Sequence, residues 1–172
     1  MHRATALSLA LCLVAAGTAF AAPKRVTDFA DQTVTARDIV AALQPLRTRG
    51  LTIGDTEAEP PKISMQLRFG RNSSELTADA KKQLDAVGVA LNAAELAGTS
   101  IVLSGHTDVT GHYERNVALS QRRADAVKAY LVSAHDVAAE RLTAVGRGPN
   151  DLLDEAHPAS PVNRRVQLAV AG

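Results

Sequence analysis

The densest set of chemically able side chains lies in Ser104–Ala124, SGHTDVTGHYERNVALSQRRA. Asp108 offers a carboxylate, Asn116 an amide, Ser120 a hydroxyl and Arg123 a guanidinium. At about 100° per residue, Asn116, Ser120, Arg123, Val127 and Leu131 fall on one face of a helix. The apolar end of that stripe suits a core. Its polar end needs fixed partners if it is buried, so the helix N-terminus reads as the wall of a site. An acid and a guanidinium facing one pocket suit a ligand that carries both an ammonium and a carboxylate. Asp108 would accept from the ammonium, and Arg123 would fork onto the carboxylate. Two structural arrangements use the same residues: Asp108 pairs with Arg123, or Asp108 caps the turn in which it stands.

Other chemistries fit less well. His106, Asp108 and His112 straddle a strand end and a turn without a second ligand cluster, and no cysteine stands near them, so no metal site is expected. Ser104, Ser120, His106 and Asp108 contain the groups of a hydrolase, but the Gly-x-Ser-x-Gly of a nucleophile elbow is missing and no enzyme is expected. Arg115 and Arg122 fall on the outward side of the helix with Asp125 and Lys128, a solvated face. Only 3% of residues are aromatic, which leaves few platforms for stacking bases. The formal charge of +1 comes from Arg3: without it, 18 Lys+Arg balance 18 Asp+Glu. A neutral chain gives no basis for nucleic-acid binding, and no cofactor is implied.

The elements that must position these residues are legible from Ile63 onward. Ile63, Met65, Leu67 and Phe69 alternate with Ser64, Gln66, Arg68 and Gly70, the period of a half-buried strand. After a polar turn, Thr77 is an N-cap with Asp79 in the first turn. Ala80, Leu84, Val87 and Leu91 mark an amphipathic helix running to about Leu96. Ser100–Ser104 is a short apolar strand, and the second helix runs from Tyr113 to about Ser133. Arg141–Gly146 and Val166–Val170 supply two more strands, separated by a loop with three prolines. The order β-α-β-α-β-β gives an α/β two-layer sandwich. Its mixed sheet has both helices on one face, because two right-handed crossovers place them there. The last two strands are expected to pair antiparallel.

Three segments follow from composition: a signal peptide over 1–21, an N-terminal arm over 22–62 and the domain over 63–172. Ala4–Ala16 is an apolar run shorter than the ~20 residues of a spanning helix, and Ala19-Phe20-Ala21 supplies an A-x-A cleavage pattern. Cys12, the chain's single cysteine, falls in that run and would leave with it. The arm holds one short helix, Ala36–Pro45, capped by Thr35, with Ile39, Val40 and Leu43 at helical spacing. The Glu57–Pro61 run that follows suits a solvated linker.

Five short stretches carry a resemblance. Phe69-Gly-Arg-Asn-Ser-Ser-Glu-Leu76, Gly105-His-Thr-Asp-Val-Thr-Gly111, Asn116-x-x-Leu-Ser-x-x-Arg-Ala124, Ala144-Val-Gly-Arg-Gly148 and Asn163-Arg-Arg-Val166 together resemble the peptidoglycan-binding OmpA-like domain. That periplasmic module occurs in OmpA-type outer-membrane proteins, peptidoglycan-associated lipoproteins and flagellar stator B-subunits. The resemblance implies non-covalent binding of the stem-peptide diaminopimelate, whose free end carries an ammonium and a carboxylate. Carried over by motif position, it implies a ligand site of Asp108, Arg123, Asn116, Thr107, Asn72 and Arg164. It further implies a periplasmic protein that links or stabilises envelope and cell wall, with outer-membrane or envelope proteins as further partners. A second reading is an envelope adaptor that docks through the 22–62 arm and uses the domain as a scaffold.

Overall fold

The structure, a computed structural model, describes residues 26–28, 34–44, 60–67, 69 and 72–171. The expected signal segment with Cys12, the linker up to Glu59, and Gly70 lie outside the described residues.

The elements in chain order are β1 (Val26–Asp28), α1 (Ala36–Leu43), β2 (Lys62–Met65), α2 (Ala78–Leu91), β3 (Ile101–His106), α3 (Tyr113–His135), β4 (Leu142–Gly148) and β5 (Val166–Val170). From β2 onward this is the β-α-β-α-β-β order read in the sequence. Thr77 caps α2, its hydroxyl accepting from the Ala80 N–H at 3.2 Å. Ala80, Leu84, Val87 and Leu91 are all buried, as the helical spacing requires.

One sheet has the order β1-β2-β5-β3-β4. β3 and β4 are parallel neighbours, as a crossover through α3 demands. The expected pairing of the last two strands does not form. β5 instead inserts between β2 and β3, antiparallel to both. Because β2 and β3 each run against β5, they run parallel to each other, and the crossover through α2 survives as a split β-α-β unit. Its sequence suits the central place, since Val166, Gln167 and Leu168 are all buried.

Register explains the two faces. Ile63, Leu168, Leu103 and Ala144 stand side by side across four strands. They belong to the apolar face, whose buried members share a core with α2 and α3. Next along the same face come Met65, Val166, Gly105 and Gly146. The opposite face has buried polar residues at its centre, Ser64, Gln167 and Ser104. Ser64 is buried, and Gln167, directly opposite it, donates from Nε2 to its hydroxyl at 3.3 Å. β2 is therefore covered on both faces rather than half-exposed.

β2 also stops at Met65, short of the alternation that runs to Phe69. Its partner β5 starts at Val166 opposite Met65, so the following residues have no ladder to join. Phe69 instead bridges to Leu76. α1 carries the expected cap: Thr35 and Asp38 bond each other's backbone N–H groups at 3.1 and 3.4 Å, a capping box. Ile39 and Leu43 are fully buried, and α1 packs on α2 and β2. The helix expected within the arm closes the domain's own core.

Candidate functional site

α3 is held unusually close to the sheet at the end where the polar half of its stripe lies. A Cβ on Gly105 would stand 2.3 Å from the Ser120 carbonyl oxygen, and one on Gly146 would stand 2.5 Å from the Gln121 nitrogen. Only glycine permits both approaches. Close contact lets α3 side chains complete the edge of β4. Ser120 accepts from the Gly148 N–H at 2.9 Å and donates to the Val117 carbonyl at 2.7 Å. Gln121 accepts from the Gly146 N–H at 2.6 Å. The Ser120 hydroxyl seen in the stripe is thus a structural bond, while Val127 and Leu131 below it are fully buried.

At the C-terminal ends of β2 and β3 this geometry gathers most of the polar residues. Asp108, two residues past β3, is 4% exposed. One carboxylate oxygen accepts from the Thr110 N–H at 3.0 Å and from the Thr110 hydroxyl. The other accepts from Arg164 Nη1 at 2.7 Å. Burial alone would raise the Asp108 pKa, but these bonds from Thr110 and Arg164 outweigh it and hold the group below the usual carboxylate range. Asn116 donates from Nδ2 to the carbonyls of Thr110 at 2.9 Å and Asp108 at 3.3 Å, fixing the turn that carries the acid. Asp108 therefore does cap its turn, and its ion pair is with Arg164.

Arg123 takes a different partner. Its Nε donates to the Ser73 carbonyl at 3.1 Å, and its guanidinium carbon lies 4.8 Å from the centre of the Phe69 ring. These contacts fix the plane of the fork, and the Nη groups make no hydrogen bond among the described residues. Burial, and then the neighbouring Arg164 charge, draw the Arg123 pKa down. Thr107 is buried with its N–H on the Gly148 carbonyl at 3.0 Å. Asn72 adopts a left-handed backbone, φ 51°, in the exposed turn before Ser73; asparagine tolerates that conformation better than most residues.

Arg123 and Arg164 line a cleft of about 360 Å³ with Gln66, Leu67, Phe69, His106, Pro161 and Arg165. Of the six residues expected at the site, the structure thus links Asp108, Arg164 and Asn116 directly. It sets Arg123 beside them, keeps Thr107 in the backbone support and leaves Asn72 at the rim. Sequence reasoning missed three contributors: the Phe69 ring, the Ser73 carbonyl and Thr110. Thr110 was legible as an Asp-x-Thr turn. The Phe69–Arg123 contact had no local signal. Among the described residues no group of three or more metal-ligating side chains converges.

Fold and site together define a class: a split β-α-β sandwich with an acid, an amide and guanidiniums gathered at the ends of its central strands. The chain belongs to the OmpA family, whose family model matches residues 68–165. It is 33% identical over 121 residues to outer membrane protein A of Yersinia pseudotuberculosis, covering 64% of this chain and 34% of that protein. It is 40% identical over 103 residues to the peptidoglycan-associated lipoprotein of Pasteurella multocida, covering 59% and 67%. Among solved structures, the peptidoglycan-associated lipoprotein from Burkholderia pseudomallei superposes with a TM-score of 0.51 at 29% identity, covering 63% of this chain and 89% of that one. The chain thus spans only about a third of the outer membrane protein A that it matches.

Proposed function

We propose that this protein binds peptidoglycan non-covalently, through the diaminopimelate of the stem peptide, and so ties the cell wall to other envelope components. One observation carries the reading. Arg123 is aimed into the cleft by a carbonyl and a ring rather than neutralised by an acid, while Asp108 stands ionised at the neighbouring position. That pair of charges suits the ammonium and carboxylate at the free end of diaminopimelate. The fork takes the carboxylate through two parallel bonds, and the ammonium shares Asp108 with Arg164, whose side chain is 47% exposed and free to shift. Asn116 and the Thr110 turn hold the acid in place. Thr107 supports the same turn, and Asn72 borders the ligand from the exposed side.

Family membership supports the reading, as do the relatives named for association with peptidoglycan. Binding without bond cleavage fits a site whose groups recognise charge and activate no nucleophile. A periplasmic location, reached through the signal segment, follows from the ligand. The adaptor reading is weakened by α1, because Ile39 and Leu43 are buried on the domain itself.

A pull-down with purified sacculi tests the proposal. The full chain should co-sediment, and Asp108→Ala and Arg123→Ala should each reduce the bound fraction at least tenfold while the proteins remain folded by circular dichroism. Undiminished retention of both variants would sink the site assignment.

A further inference from the structure

Asn163 opens the Asn163-Arg-Arg-Val166 stretch but does not line the cleft. It is fully buried, and both ends of its amide are used. Oδ1 accepts from the N–H groups of Leu153 and Asp154, both at 2.9 Å. Nδ2 donates to the carbonyls of Asp154, His157 and Pro158, each at 3.2 Å. An amide has two acceptor lone pairs and two N–H groups, so its capacity is filled, with one N–H shared between two carbonyls. Residues 149–160 contain no helix or strand. A loop of that length keeps one shape only if its backbone groups find partners, and one side chain supplies five of those bonds.

The wrapped loop meets the Asp108 turn at two points. The Pro158 carbonyl that accepts from Asn163 also accepts from the N–H of Val109, the residue after Asp108, at 3.3 Å. Next to Asn163 in the chain stands Arg164. Its N–H closes a short turn on the Pro161 carbonyl at 3.0 Å, and its Nη1 reaches Asp108 at 2.7 Å. The Arg164 side chain is 47% exposed. An exposed arginine loses rotamer freedom when it pairs, so its hold on Asp108 depends on a backbone that is already fixed.

We propose that Asn163 is a positioning residue for ligand binding: by gathering residues 153–158 around its amide, it holds Arg164 and Pro158 against the turn that carries Asp108. The inference rests on the diaminopimelate reading above and deepens it. A ligand then meets an acid already set in place. Without the amide, the ligand has to order the loop itself.

The test is calorimetric titration of the full chain and of Asn163→Ala with a stem tripeptide carrying diaminopimelate at the third position, paired with NMR titration of the Asp108 carboxyl group. Asn163→Ala should bind about tenfold more weakly, because only molecules with an ordered loop are competent. Its Asp108 should titrate at higher pH than in the unaltered chain, because release of Arg164 removes one of the bonds that favour the carboxylate. A purely structural role would lower stability without moving that titration. Equal affinity in a folded Asn163→Ala, or weaker binding with the Asp108 titration unmoved, would overturn the inference and leave the diaminopimelate reading intact. Absence of binding by the unaltered chain would overturn that reading and the inference with it. Should Asn163→Ala fail to fold, hydrogen exchange in the unaltered chain decides. The Leu153 and Asp154 amides, which donate to Asn163 Oδ1, should exchange about tenfold more slowly at a peptide concentration roughly ten times Kd, since the peptide binds only the ordered loop. An unchanged rate would overturn the inference.

Discussion

Arg123 is the side chain on which the proposed site depends most. Its Nε is tied to a carbonyl 50 positions earlier in the chain and its plane lies over Phe69, so little rotamer freedom remains to be lost when a carboxylate arrives. Phe69→Leu keeps apolar volume and removes the ring. It should weaken ligand binding about three- to tenfold, in line with the roughly 0.5–1 kcal/mol or more of a cation–π contact, as read by titration. His106 bears on stability. Its pKa falls from 6.5 to about 4 on folding, so the folded state resists protonation. Stability should be full above pH 6.5 and should fall as pH drops from 6.5 towards 4, by up to about 3 kcal/mol. Urea unfolding at stepped pH checks this, and His106→Leu should flatten the dependence across that window. At this scale the sequence was informative where one helix face or one turn carried the signal, as with Asp108 and Arg123. It was silent on the Asp108–Arg164 pair, which spans 56 positions, because no periodicity reports a contact made by the return of a distant strand.

Among the elements, the approach of α3 to the sheet sets the site's width. Gly105 and Gly146 remove the two side chains that would hold the helix away, and Ser120 and Gln121 then bond to the β4 backbone. Gly105→Ala would drive a methyl into the Ser120 carbonyl, a backbone atom that cannot rotate aside. We expect a loss of about 1–3 kcal/mol, the usual cost of overpacking, measured by chemical denaturation, together with weaker ligand binding as Arg123 is displaced. Helix α2, with its Thr77 cap, was legible because its apolar period and capping signal agree. The place of β5 was not. Hydrophobic alternation identifies a strand but says nothing of its neighbours, and the expected pairing of β4 with β5 gave way to the better burial offered between β2 and β3. The end of β2 was misjudged for a related reason: alternation continues to Phe69, but a strand ends where its partner does.

The whole molecule is a cleft built at the rim of a sheet whose centre is packed on both faces. Its core extends beyond the segment that the motifs covered, since Val34, Ile39 and Leu43 join it, and α1 is as much a part of the fold as α2. The family assignment rests on motifs spread from residue 69 to residue 166, all of which the topology draws towards α3 or the strand ends. That convergence is why a reading from residues alone could name the fold. The measurement that bears most directly on the proposed ligand is titration of the full chain with two otherwise identical stem tripeptides, one with diaminopimelate and one with lysine at the third position. Lysine keeps the ammonium and lacks the side-chain carboxylate that we propose Arg123 holds. Binding of the diaminopimelate peptide, with at least a tenfold loss for the lysine peptide, is the expected result; equal affinity for the two would contradict recognition of the zwitterionic end by Asp108 and Arg123.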